Sequence, residues 1–408
     1  MAELHPRQII YPIQNLSRLG DDSAPAERDF NERLSQHFQA TRRVTPLGRA
    51  RTGIYLLVAH SISGERRRIV MSPYTIPDVV NMVILAGGVP VFVDFLPNST
   101  NVAAESVEAA IDDRTAAVML THYHVNQANL SEIAAICAAR DVRLFDDCAI
   151  SFGSQFKGAP VGALTDASVM SFSAFKILNF LWGGALSVKS DLLFSTIDAE
   201  TQSWPRLKLL QYRRQALKTL AYGFATSQTI FPLVFRVRRP VASGDKIGDV
   251  FPLSRVETVS LDATIRSRPH NNALREWNRK FEAVEQRVAH RRRIAGIYDQ
   301  YFRASSVSAE TADELRDESC FINYPIVVGE DRRDQIYRDM LRSGLDIGRS
   351  LYPNVHEVES FTGIEGVSGN VSGLVRSVLT LPTHSRIRED YAHRLARRLS
   401  AAISTRRG

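Results

Sequence analysis

Between Arg68 and Val188 the chain alternates short apolar runs with amphipathic stretches, and this alternation limits the fold more than any other feature. The runs RIVMSP, VPVFVDF, TAAVMLTH, VRLFDD, ASVMSFS and GALSV read as strands. Between them, PDVVNMVILAGG, AAESVEAAID and NLSEIAAICAARD read as helices, the first with Pro77 near its start and glycines at its end. Strand–helix–strand units of this length join parallel strands. Runs such as VFV and AVML lack polar alternation, as strands covered on both faces do. The expected class is α/β, with a large domain built on a mostly parallel central sheet between helices.

The flanking regions read differently. Residues 1–40 are polar and mixed, an N-terminal arm. The large domain is expected over 41–300, and within it NNALREWNRKFEAVEQRVAHRRRIAGIYDQYF reads as one long amphipathic helix or two. The strand CFINYPIVV and the helices RRDQIYRDMLRSG and YAHRLARRLSAAI predict a smaller C-terminal α/β domain over 301–408. An insertion at 201–244 interrupts the large domain. It holds Arg206, Lys208, Arg213, Arg214, Lys218, Arg236, Arg238 and Arg239 and no acidic residue. Those eight positives, against a net charge of +7, leave the rest of the chain near −1, which argues against a nucleic-acid partner. The middle of the insertion, TLAYGFATSQTIFPLVF, is too short and too polar for a transmembrane helix. Three readings of it stay open: a helical excursion packed on the body or a partner subunit, a peripheral contact with an anionic membrane, and a lid over a diphosphate. Cys137, Cys148 and Cys320 form no CxxC or metal spacing, so reduced thiols and a cytoplasmic location are expected, with membrane association if the insertion meets lipid. The N-terminus shows no signal-peptide pattern.

In an open α/β sheet, ligands bind beyond the carboxyl ends of the strands. There VRLFDD ends in Asp146 and Asp147, and ASVMSFS ends in Ser171 and Ser173. Lys176 follows inside the apolar stretch VMSFSAFKILNF. A lysine in such company either sends its head to solvent or is covalently occupied. A carboxylate, hydroxyls and a lysine at adjacent βα junctions suit pyridoxal phosphate. That cofactor needs a Schiff-base lysine, an acid for its pyridinium nitrogen, and hydroxyls or N–H groups for its phosphate. GRARTGIYLLVAH, polar and then apolar, offers a helix N-terminus for the phosphate. His122 and His124 follow a strand, but no third ligand stands at a metal spacing, so no metal is expected. For His122 a substrate role and a structural role are both open.

In their order and spacing, GRARTGIYLLV, SPYTIPDVVNMVILAGGVPVFVDF, DDCAISFGSQFKGAPVGALTDASVMSFSAFK, WGGAL and LTLPTHSRI resemble the DegT/DnrJ/StrS aminotransferases. These are fold-type-I pyridoxal phosphate enzymes acting mostly on nucleotide-linked keto sugars. The resemblance runs from about Gly48 to the C-terminus, apart from the basic insertion. It implies that Lys176 is the Schiff-base lysine and Asp147 the partner of the ring nitrogen. By the same resemblance Ser171 binds phosphate, Arg51 and Thr52 supply the backbone positions that cradle it, and Ala149 is small so that the ring lies flat. Asn271 or Asn272 takes the place of an asparagine that reaches the phosphate from a second subunit. The resemblance further implies a homodimer, glutamate as amino donor, and a keto sugar acceptor, nucleotide-linked, in polysaccharide, glycoconjugate or secondary-metabolite biosynthesis. Four positions depart from the family's pattern: Ile150 for a glutamine, Ile76 for a stacking aromatic, Ile177 for an asparagine, and Trp182 for a glutamate. Two alternatives accompany these departures: a cofactor-binding scaffold or regulator without turnover, and a related dehydratase. Lys176 argues against the second, because the family's dehydratases carry histidine there.

Overall fold

A computed structural model describes residues 26–123, 129–173, 176–225, 265–307, 309, 313–345 and 347–404. His124, and residues 226–264 with the insertion's Arg236, Arg238 and Arg239, lie outside the described residues.

The chain opens with α1 (Ala26–His37), β1 (Arg43–Leu47) and α2 (Ala50–Ala59). The alternating region follows as β2 (Arg68–Met71), α3 (Pro77–Leu85), β3 (Val89–Phe92), α4 (Ala104–Ala110), β4 (Thr115–Thr121), α5 (Leu130–Ala139) and β5 (Arg143–Asp147). A two-residue hairpin, β6 (Gln155–Phe156) and β7 (Ala159–Pro160), leads into β8 (Ala167–Ser171) and β9 (Gly184–Val188). Among the described residues, seven of these strands form one sheet in the order β1-β9-β8-β5-β4-β2-β3. β9 runs antiparallel to both of its neighbours, and the pairs from β8 to β3 are parallel.

Side-chain alternation divides the strands between two cores. Val70, Val118, Leu120, Leu144 and Met170 face a core shared with α4 and α5. Ile69, Met71, Met119, Phe145 and Val169 face the other, shared with α2 and α3. Both faces are covered, which is why the strands read as unbroken apolar runs.

Among the described residues, the remaining α-helices are α6 (Asp191–Gln202), α7 (Leu209–Ala225), α8 (Asn271–Phe281), α9 (Val284–Phe302), α10 (Asp313–Asp317), α11 (Glu330–Arg342), α12 (Gly369–Ser377) and α13 (Glu389–Ser404). The stretch expected as one helix or two is two, α8 and α9. A third core gathers Ile294 and Tyr298 of α9, the antiparallel pair β10 (Asn323–Val327) and β11 (Val378–Pro382), and side chains of α11 and α13. Val284 and Val288 belong to the first core, so α9 serves both units.

Two features differ from the sequence expectation. The end of the polar arm is α1, whose Phe30 and Leu34 are 0% exposed. The Phe30 ring lies 5.7 Å from Phe172 and 5.2 Å from Trp277. Phe30, Leu34 and Phe38 recur every four residues, so a single apolar stripe anchors an otherwise polar helix. The excursion expected over 201–244 rejoins the body only beyond residue 264, where the chain lies beside the insertion's start: Leu207 N–H donates to Arg268 O at 2.9 Å, and Arg268 N–H to Pro205 O at 3.0 Å. No helix among the described residues is long and apolar enough to cross a membrane.

Candidate active site

The chain passes from β2 outward to β3, then returns across β2 to β4, and continues to β5 and β8. The loops after β2 and β4 therefore diverge, and their carboxyl ends flank a crevice of the kind that receives ligands. Tyr74 comes from the first loop and Tyr123 from the second, with ring centroids 5.0 Å apart. Tyr123 donates its hydroxyl to Tyr74 O at 2.7 Å. The Tyr74 hydroxyl accepts from Leu351 N–H at 3.1 Å and from Ser350 Oγ at 3.0 Å. This ties in Tyr352, whose ring lies 5.6 Å from Tyr74 and 6.1 Å from Tyr123.

Asp147 ends β5 beside this aromatic wall and is buried. Burial raises its carboxyl above the ordinary value, while the Ala149 N–H, Lys176 and His122 favour the charged form. The Ala149 bond to Asp147 Oδ1 is 2.9 Å long. Lys176 is half-buried, and burial pushes its amine down to about 8, opposed by attraction to Asp147. Asp147 also acts electrostatically on Tyr123 and Tyr352, whose hydroxyls burial holds protonated far above the ordinary tyrosine range. The lysine and the acid singled out from the sequence thus meet at one crevice.

Asp146, one residue earlier, points to the opposite face. Its Oδ1 lies 3.1 Å from His122 Nε2, and its Oδ2 accepts from Thr165 Oγ1 at 3.2 Å. Both side chains of this contact are fully buried. Buried Arg42 sits nearby and donates to Ser187 Oγ at 2.6 Å and to Thr165 O at 2.7 Å. His122 N–H donates to Asp147 O at 3.2 Å, so this buried network props the strand end that carries Asp147. Cys148, next along the chain, is buried, and burial and the two acids push its thiol well up, which leaves it unreactive.

The start of α2 forms the other side of the site. Its N-cap is Arg49, with no side-chain cap on the first-turn N–H groups. Such a helix start suits an anion. Gly184 makes its position possible: a side chain there would stand 2.6 Å from Ala50 Cα and 2.5 Å from Met170 O. Ser171 pairs in register with Gly184, which brings its hydroxyl to the same region. The Thr52 hydroxyl donates to Ile265 O at 2.8 Å and the Arg51 side chain pairs with Asp78, so what these two residues offer a ligand is backbone N–H. Asn271 opens α8 beside the insertion, next to His270, whose ring lies 6.4 Å from Tyr212 of α7.

The departures from the family's pattern have distinct surroundings. Ile150 is buried in the core, and its carbonyl accepts from Cys320 Sγ at 3.2 Å. Ile76 is the partly exposed N-cap of α3. The Trp182 ring carries the Arg49 guanidinium 3.8 Å from its centroid and lies 5.9 Å from the ring of Tyr212. The insertion and the segment that follows it therefore both support the site: Tyr212 lies beside Trp182, Ile265 O accepts from Thr52 of α2, and Gly48 N–H, just before α2, donates to Ser267 O at 2.8 Å.

Sequence reading missed Tyr74, Tyr123, Tyr352 and Arg49. The strand-end rule that found Asp147 also points to Tyr74 and Tyr123. Nothing local marks Tyr352, which reaches the crevice from more than two hundred residues away.

The family model described as the DegT/DnrJ/EryC1/StrS aminotransferase family matches residues 19–206 and 277–400. The unmatched interval contains α7 and the expected insertion from residue 207 onward. The dTDP-4-amino-4,6-dideoxy-D-glucose transaminase of Shigella dysenteriae is 24% identical over 345 residues, covering 83% of this chain and 80% of that protein. The uncharacterized protein MJ1066 of Methanocaldococcus jannaschii is 28% identical over 161 residues, 39% of this chain; the chain spans only 42% of that relative's length. Among solved structures, the Helicobacter pylori aminotransferase PseC, involved in the biosynthesis of pseudoaminic acid, superposes with a TM-score of 0.74 at 16% identity. That match covers 99% of this chain and 97% of the other, and the likeness is one of fold, the fold-type-I aminotransferase architecture.

Proposed function

The chain belongs to the DegT/DnrJ/EryC1/StrS aminotransferase family, and from that premise we propose that it is a pyridoxal phosphate-dependent aminotransferase acting on a keto sugar. The observation that carries this reading is the pairing of Lys176, its amine held near neutrality, with buried Asp147 at the crevice. When bound, pyridoxal phosphate supplies an aldehyde that carries the amino group and a ring that accepts electrons. The residues present fit it. Lys176 would hold the aldehyde carbon. Asp147 would face the ring nitrogen, where a cation offsets the burial that now raises the carboxyl. The N–H groups of Arg51 and Thr52 and the Ser171 hydroxyl would hold the phosphate, and Ala149 would leave room for the ring.

Within this reading each residue has a task. Lys176, once free, would move a proton between the donor's α-carbon and the cofactor's aldehyde carbon, and in the reverse sense between that carbon and the acceptor's, as a general base and acid. Asp147 keeps the ring nitrogen protonated. Tyr74, Tyr123 and Tyr352 narrow the crevice and limit water near the amine. Glutamate is the proposed donor and a nucleotide-linked keto sugar the acceptor, with the enzyme working as a homodimer to which Asn271 contributes across the interface.

The test is optical. Added cofactor should give visible absorption that L-glutamate bleaches and a keto sugar nucleotide restores. Absorption that no amino donor changes would favour the scaffold reading, and absence of any cofactor-dependent absorption would overturn the proposal.

Two smaller expectations follow. Trp182→Ala frees Arg49 at the start of α2 and should weaken cofactor affinity about 3- to 30-fold, the equivalent of a cation–π contact. Equilibrium dialysis measures this, and an unchanged affinity would remove Trp182 from the site. On α7, Leu210 and Leu217 are 56% and 67% exposed on the helix face that also carries exposed Arg213 and Arg214. We propose that this face touches anionic membrane surfaces. Sedimentation should show salt-sensitive binding to vesicles containing phosphatidylglycerol and none to neutral vesicles; equal behaviour with both would refute the contact.

A further inference from the structure

The loop bearing Lys176 leaves the sheet after β8 and returns at β9. Backbone bonds close its neck: Phe180 N–H donates to Phe172 O at 2.8 Å, and Phe172 N–H to Gly183 O at 2.9 Å. Two cations from separate helices hold the limb that follows Lys176. Lys280 of α8 donates its amine to Asn179 O at 2.7 Å. Arg287 of α9 donates to Ile177 O at 2.7 Å and to Asn179 Oδ1 at 3.3 Å.

Lys280 is an expensive residue for this position. It is 3% exposed, and its nitrogen lies 5.4 Å from the centroid of the Phe180 ring. Burial pushes its amine down to about 8, with Glu276 of its own helix opposing and Arg279 and Arg287 adding to the shift. An unbranched apolar side chain of similar length would fill the space without that desolvation. What the apolar chain lacks is a donor for the Asn179 carbonyl. Bonds from charged donors are roughly twice as strong as neutral ones, and here they grip carbonyls one and three residues beyond Lys176.

We infer that Lys280 and Arg287 are positioning residues that clamp the limb after Lys176 and thereby set where its amine stands relative to Asp147. This rests on the reading of Lys176 as the cofactor-bearing lysine. The clamp acts through the backbone, so neither cation need touch cofactor or substrate. The charged group bearing on the Lys176 amine is Asp147 from β5, which attracts it; Lys280 and Arg287 reach Ile177 and Asn179 of the loop.

The test uses the full-length protein as Lys280→Met, Lys280→Arg and Arg287→Lys. Three quantities are read without cofactor: hydrogen exchange at amides 177–180, the pH midpoint of Lys176 acylation followed by mass spectrometry, and Tm. Lys280→Met should speed loop exchange at least about tenfold, as loss of one charged anchor predicts. It should also move the acylation midpoint upward from about 8, towards that of a solvated lysine, as the amine leaves its half-buried position. Its Tm should hold or rise, because an apolar side chain replaces a buried charge. Lys280→Arg should restore exchange and midpoint, and Arg287→Lys should give a milder form of the Met phenotype. Wild-type exchange and midpoint in Lys280→Met would overturn the inference; so would a fall in Tm alone. If Lys280→Met does not fold, Arg287→Lys decides by the same two readouts. Failure of the wild-type protein to bind cofactor would instead strike the functional proposal, since none of these readouts depends on cofactor.

Discussion

Lys176→Ala is expected to lower amino transfer by about 10⁴-fold or more, because one residue is asked to act both as nucleophile and as general acid–base. Cofactor-dependent visible absorption should be lost or displaced with it. A variant that keeps within tenfold of wild-type turnover would show that the chemistry lies elsewhere. The amine's pKa supplies an independent check. With a pKa of about 8 instead of the ordinary 10.5, about half of the amine is neutral at pH 8, against roughly 0.3% for a solvated lysine. Lys176 should therefore be acylated selectively near neutral pH in the cofactor-free protein. The sign for stability follows from proton linkage. Between pH 8 and 10.5 the unfolded chain binds more protons at this lysine than the fold does, so the stability it permits rises with pH across that window. Below pH 8 the penalty of burying the charge is fully present. Lys176→Met should accordingly gain stability over wild type at pH 7 and lose much of that advantage by pH 10, as urea unfolding at the two pH values would record.

Asp147→Asn is expected to reduce turnover about 10²- to 10³-fold, the usual effect of removing one preorganised charge from a reacting site. The amide keeps the shape of the carboxylate, and its oxygen can still accept from Ala149 N–H. What it loses is the charge that would stabilise a protonated ring nitrogen. The same substitution removes the attraction that supports the Lys176 ammonium, so the acylation midpoint of Lys176 should fall below about 8. The two results together separate an electrostatic role from damage to the fold. Turnover within fivefold of wild type, with an unmoved midpoint, would remove Asp147 from the site.

Much of this was legible in the chain. Strands buried on both faces leave unbroken apolar runs, and the first helix between them opens on Pro77 and stops at Gly87 and Gly88, so the alternating region could be parsed almost element by element. Asp147 and Ser171 stood out as candidates for a related reason: parallel strands deliver their carboxyl ends to one edge, and polar residues there close apolar runs; Lys176 stood out as a lysine in the apolar loop that follows. The first strand, β1, was not read, because RVTPL is short and its pairing partner β9 lies far along the chain. α1 was hidden in a polar stretch, where three apolar residues at helical spacing counted for less than the composition around them.

Residue type and order along the chain therefore determined the α/β class, and they pointed to the strand ends and to Lys176 and Asp147 as candidates. These follow from periodicity and backbone direction, which are local properties. The chain alone did not reveal that Tyr352 closes the crevice, that Trp182 carries Arg49 at the start of α2, that the insertion and the segment that follows it brace the site, or that Lys280 and Arg287 hold the lysine loop. Each of those contacts joins segments distant in sequence. Their partners are chosen by packing and by the cost of burying a charge, and only the folded arrangement fixes both.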